Sequence, residues 1–256
     1  MLKKYFIHES AKVISFVERG ETDEKSMHEC RVAIKKIRAL TDLLSWTNEK
    51  FDVSEAEKPY RRLFQKMGPP REYQVHLKLS ATLGILIPAD AENAERKASQ
   101  EAIGKLTEKL NKSTLKKLRK QEVNILDALD HLSKKEVARY FRYCRSALIK
   151  RIQNSGENKL HFLRKKVKTF FYNLKAFDDS KGLNSNKEVI DELDKFQQIL
   201  GNWHDMEEIK IRLNLGETDG LPEQNFLEKH KEIIADIGDG KGRLYWKLGV
   251  MKLSHH

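Results

Sequence analysis

Long apolar runs are missing from this chain of 256 residues. Nothing in it approaches the ~18 uncharged residues of a membrane span. The basic start, Met1-Leu2-Lys3-Lys4, has no apolar segment behind it of the kind a secretory signal needs. Cysteine is almost absent: Cys30 and Cys144 are too few for a disulfide framework, and both fall inside helix-like segments. They read as buried thiols in a reducing compartment, and the simplest expectation is a soluble cytoplasmic protein. Clean period-two alternation and β-branched runs are also scarce, which excludes a β-rich fold. Equally missing is any Ser/His/Asp constellation, carboxylate pair or phosphate-binding loop. No catalytic residue, no cofactor and no metal site is expected.

What the chain has in surplus is positive charge. Its 49 Lys and Arg against 38 Asp and Glu leave a net +11. That balance asks for an anionic partner without choosing between nucleic acid, a membrane surface and a phosphate polymer. Nearly every periodic segment has a helical period, so the chain reads as all-α. Helices are predicted over about 2–19, 24–46, 55–67, 71–86, 90–111 and 113–130, then 133–153, 157–178, 186–200, 204–214, 222–237 and 241–252. Gly20 ends the first, Pro69-Pro70 stops the third, and Ser133 with Glu136 forms a capping box. The polar segment 90–130 is expected to make long exposed helices. Short loops favour antiparallel neighbours, hence a helical bundle in each half.

The halves repeat one another. His28, Arg31, Ile34 and Lys35 are followed by Gly68 and Glu72; His161, Arg164, Val167 and Lys168 are followed by Gly201 and Asp205, every pair offset by 133 residues. Two separated patterns in one register identify an internal repeat, 1–130 and 131–256. On a helix, His28, Arg31, Lys35 and Arg38 share one face, with Met27, Cys30, Ile34 and Ile37 about 100° away. The apolar stripe packs inward and the basic row lies along its flank. His161, Arg164, Lys168, Tyr172 and Lys175 repeat that row beside Leu160, Leu163, Val167 and Leu174. Residues 30–41 and 159–175 contain no Asp or Glu. Like charges at i,i+4 cost ~0.2–0.5 kcal/mol each, so an acid-free face is unfavourable unless an anion binds to it. The cations around each His leave no metal-ligand set. Gly68 and Gly201 are each expected to end a helix, with Glu72 and Asp205 near the next N-terminus, where the dipole favours a carboxylate. Those carboxylates alternatively hold a basic side chain in place.

These motifs resemble those of the CHAD family, the conserved-histidine α-helical domain. The first copy runs Met27-His28-Glu29-Cys30-Arg31-Val32-Ala33-Ile34-Lys35-Lys36-Ile37-Arg38, then Gly68-Pro69-Pro70-Arg71-Glu72. The second runs Leu160-His161-Phe162-Leu163-Arg164-Lys165-Lys166-Val167-Lys168, then Leu200-Gly201-Asn202-Trp203-His204-Asp205. The resemblance implies a single domain over 1–256, built as two antiparallel four-helix bundles related by a pseudo-twofold axis. The basic rows would then face a shared groove. It also implies a non-enzymatic module for inorganic polyphosphate, with association to polyphosphate granules. The site residues carried over are His28, Arg31, Lys35, Lys36, Arg38, Arg71, His161, Arg164, Lys165, Lys168, Tyr172 and Lys175. Three positions depart from the family pattern: Glu72 replaces an Asp, Phe171 an Arg, and Lys175 a Glu.

Two rival functions remain. RNA or single-stranded nucleic-acid binding needs stacking platforms, and Tyr172 is the only ring in either row. Histidine phosphotransfer wants a small residue after the cation, where this chain has Val32-Ala33 and Lys165-Lys166. No membrane partner is expected.

Overall fold

A computed structural model describes residues 2–85, 87–181, 186–213 and 221–251. Among these residues there are ten α-helices and no strand. They are α1 (Leu2–Arg19), α2 (Glu24–Thr47), α3 (Val53–Lys66), α4 (Gly68–Leu83), α5 (Ala89–Thr107), α6 (Lys112–Asp130), α7 (Lys134–Asn154), α8 (Leu160–Lys181), α9 (Lys187–Leu213) and α10 (Leu221–Val250), with a 3₁₀ turn (Glu157–Lys159) before α8. Positions 86, 214 and 252, expected to end helices, lie outside the described residues.

Local chemistry sets most boundaries. The Asp23 carboxylate accepts from the Ser26 N–H to open α2, and Asp52 does the same for Glu55 at the start of α3. Ser133 and Glu136 make the expected capping box on α7. Gly20 follows α1 at φ +68°, a left-handed conformation that glycine adopts without a Cβ penalty.

Two expected breaks do not occur. α9 passes straight through Gly201, and α10 passes through Gly238, Gly240 and Gly242. A helical glycine costs ~1 kcal/mol, but the buried stripe Phe196, Leu200, Trp203, Met206 and Ile209 continues across Gly201 and outweighs it. Gly240 serves packing: a Cβ there would sit 2.6 Å from Cδ2 of Phe196 on α9. Asp205 is therefore mid-helix, and the dipole argument made for it fails. Gly68 is likewise the first residue of α4, directly after the Met67 turn, rather than a left-handed helix end.

Two cores form. Phe6, Ile34, Ile37, Tyr60, Leu118 and Ile125 pack between α1, α2, α3 and α6. Phe141, Phe170, Phe196, Leu200 and Leu244 pack between α7, α8, α9 and α10. α5 buries only Ser99 and Leu106, which leaves it mostly solvated. The cores meet where α2 lies on α8: Leu43 of α2 joins the second core and Ala176 of α8 joins the first. A buried polar chain stitches this seam. Asn173 Nδ2 donates to Ala39 O at 2.7 Å and to the Tyr140 hydroxyl at 2.8 Å, and that hydroxyl donates to Asp42 Oδ2 at 2.8 Å. Among the described residues no helix is long and apolar enough to cross a membrane.

Candidate anion-binding groove

Because α2 and α8 pack side by side, the basic row of each flanks a common groove of about 540 Å³. Arg31, Lys35 and Arg38 line it from α2, Arg164, Lys165 and Lys168 from α8, and Arg71 from α4. Tyr172 lines it as well.

The guanidinium carbon of Arg31 sits 3.9 Å from the Phe64 ring centroid, and its Nη1 donates to Phe64 O at 2.9 Å. Burial, with Arg71 nearby, lowers its pKa to about 10. Lys35 is pushed further. Burial is the main cause, Lys168 is the strongest opposing charge and Arg31 the next, and together they bring it down to about 7. Lys168 falls to about 8, through burial and then Arg164. Desolvation and like charge disfavour the same charged form, so their effects add. Arg164 is lowered too, mainly by burial, with Asp205 working against the shift. Nε of Arg31 and Nε of Arg164, each three residues after a histidine, are both buried without a hydrogen-bond partner. A buried unpaired donor costs roughly 1–3 kcal/mol, so an acceptor placed there would be well rewarded.

Acidic groups come to the groove from helices other than α2 and α8. Glu57 of α3 accepts from Arg38 Nε at 3.0 Å and from the Thr41 hydroxyl at 2.7 Å. Arg71 Nη2 lies 3.8 Å from Asp205 Oδ2, a loose pair joining α4 to α9. Glu72 and Glu208 also line the walls, Glu208 3.1 Å from His204 Nε2. The sequence reading missed Phe64, Glu57, His204 and Glu208. Only the acidic positions of the turn motif, Glu72 and Asp205, hinted that carboxylates would be present.

Four of the expected residues lie elsewhere. His28 borders an adjoining depression that shares Arg31 and Arg71, and burial followed by Lys35 and those arginines lowers its pKa. His161 stands 5.4 Å, ring to ring, from His204, and its pKa is lowered by burial and then Lys165. Lys36 turns away to α1, where it pairs with the buried Glu9 at 2.8 Å. Lys175 is exposed, 5.8 Å from the Phe171 ring centroid. One possible metal-ligand trio, Glu157, Glu207 and His230, lies outside the groove with its ligand atoms within 4.8 Å of one another. His230 there already pairs with Glu207 at 2.8 Å.

The fold is shared with a solved structure, the CHAD domain from the plant Ricinus communis. The TM-score is 0.68 at 16% sequence identity, covering 99% of this chain and 93% of that one. No curated protein sequence matches the chain. The model of the CHAD domain matches residues 8–214, which takes in both motif copies and most of the described helices; the chain belongs to the CHAD family.

Proposed function

We propose that the protein is a non-enzymatic polyphosphate-binding module, built as two repeated four-helix bundles over 1–130 and 131–256 whose basic rows grip one phosphate chain between them. One observation carries this reading: Lys35 and Lys168, one from each repeat, are desolvated in a single groove with Arg31, Arg71 and Arg164, at the cost of lowered pKa values. An arrangement this unfavourable without a ligand becomes favourable when a polyanion neutralises it. The guanidinium forks suit phosphate oxygens in bidentate geometry, while the lysines act as point charges. A chain of phosphates needs no sequence reading, only counterion exchange along the groove.

Nucleic acid is the poorer fit. Of the rings lining the groove, Phe64 is covered by the Arg31 guanidinium, which leaves only Tyr172 and the His204 imidazole to face a base and no row of stacking platforms. Phosphotransfer is poorer still, because the cation after each histidine is followed by Val32-Ala33 in one motif and Lys165-Lys166 in the other, where a docking partner would need a small residue. Titration with long-chain polyphosphate, competed by RNA of equal total charge, tests the assignment. Polyphosphate should win; equal or better competition by RNA would move the function to nucleic acid.

A further inference from the structure

The far side of α3 carries a second basic groove, of about 590 Å³. On α3, Val53, Glu57 and Phe64 face the central groove. Lys58, Arg62 and Lys66, spaced four apart, lie on the opposite face and line the outer one. Its other wall comes from the turn before α6 and from α6 itself, with Lys109, Lys117 and Lys120. That wall belongs to a third acid-free stretch, residues 109–120, which holds six Lys and Arg. Lys58 pairs with Glu55 at 2.9 Å, whereas Arg62, Lys66, Lys109, Lys117 and Lys120 have no ion-pair partner among the described residues.

We infer that this outer groove is a second anion-binding site, which takes the continuation of the same phosphate chain that occupies the central groove; the inference rests on the polyphosphate reading above. Only one helix, ~10–12 Å across, separates the two grooves, so a flexible chain leaving one passes around α3 into the other. The occupant follows from shape and lining. A concave channel admits a thread and not a planar bilayer, and its apolar lining, Pro59 and Leu63, offers no ring for a base to stack on. Two linked contacts on one ligand convert the second into an intramolecular event, which gains affinity only for chains long enough to span both. The arrangement therefore selects for chain length.

The test compares tripolyphosphate, too short to span, with long-chain polyphosphate. The outer variant carries Lys66→Gln, Lys109→Gln, Lys117→Gln and Lys120→Gln, all exposed positions, with circular dichroism to check the fold. It should bind tripolyphosphate as the parent does, but long chains at least ~10-fold more weakly. Its salt slope for long chains should be shallower by about 3, at ~0.7 per lost contact. Unchanged long-chain affinity and slope would overturn the inference. So would loss of RNA or anionic-vesicle binding with polyphosphate binding intact. A central variant, Lys35→Gln with Lys168→Gln, keeps the two ideas apart. It should weaken both probes, and parental binding of both by that variant would refute the central reading whatever the outer variant does.

Discussion

Anion binding by this protein should take up protons, and the amount follows from the groove. In the free protein Lys35 titrates near 7 and Lys168 near 8. A bound polyanion reverses the causes of both shifts, returning each lysine toward its ordinary value of ~10.5 or above. At pH 8 the two lysines, which titrate as a coupled pair, are partly deprotonated in the free protein, so binding should take up roughly one proton. Between pH 7 and 9 the same linkage should weaken affinity by roughly tenfold or more. The internal phosphates of a long chain stay ionised throughout that range, so the effect belongs to the protein. Calorimetric titration at pH 8 in two buffers of different ionisation enthalpy, at fixed ionic strength, measures the uptake directly. Lys35→Gln with Lys168→Gln should abolish both the uptake and most of the pH dependence. Buffer-independent heats, with an affinity flat from pH 7 to 9, would refute the account.

Further outcomes follow from the same structure. Log affinity for long chains against log salt should fall with a slope of about −4 or steeper, since the groove cations other than Arg38, which Glu57 holds, act together at ~0.7 each; a slope flatter than about −1 would show that they do not. Without ligand, urea unfolding should show stability rising from pH 7 toward ~10, because the folded protein releases protons from Lys35 and Lys168 that the unfolded chain keeps up to ~10.5. Long-chain polyphosphate at a hundred times its Kd should stabilise the fold by ~2.7 kcal/mol in thermal unfolding, and the lysine double variant should lose most of that gain. Gly240→Ala should destabilise by ~1–3 kcal/mol through its clash with Phe196, while Gly201→Ala, with open space around its Cβ, should stabilise by ~0.4–1 kcal/mol.

The helices and the two rows were legible because both rest on local order. A period of 3.6, the caps Asp23 and Ser133, and the shared register of the motif copies need no knowledge of distant residues. Lys36, carried into the expected site, instead pairs with Glu9 of α1, since it lies about 100° around α2 from Lys35. What escaped the sequence was decided through space. Glu57 and Phe64 come from α3 and reach the groove only because α3 packs on α2, and no spacing within the motif announces them. Phe64 also holds Arg31 in place. Substituting Gln there removes a hydrogen bond and a ring contact as well as a repulsion, so the substitution is no simple relief of like charge. The glycines of α9 and α10 misled in the opposite direction. Their local cost is real, but helix-to-helix packing settles the matter, most clearly where Gly240 lets α10 come against Phe196.

The polar chain from Asp42 through Tyr140 and Asn173 to Ala39 fixes the distance between the two halves. Two like-charged walls free to part would do so and dissipate their repulsion. Held by that seam, they behave as a compressed spring with its latch closed. An anion entering the groove, as proposed, would relieve that repulsion and return protons to the lysines, with no binding energy spent on closing the jaws.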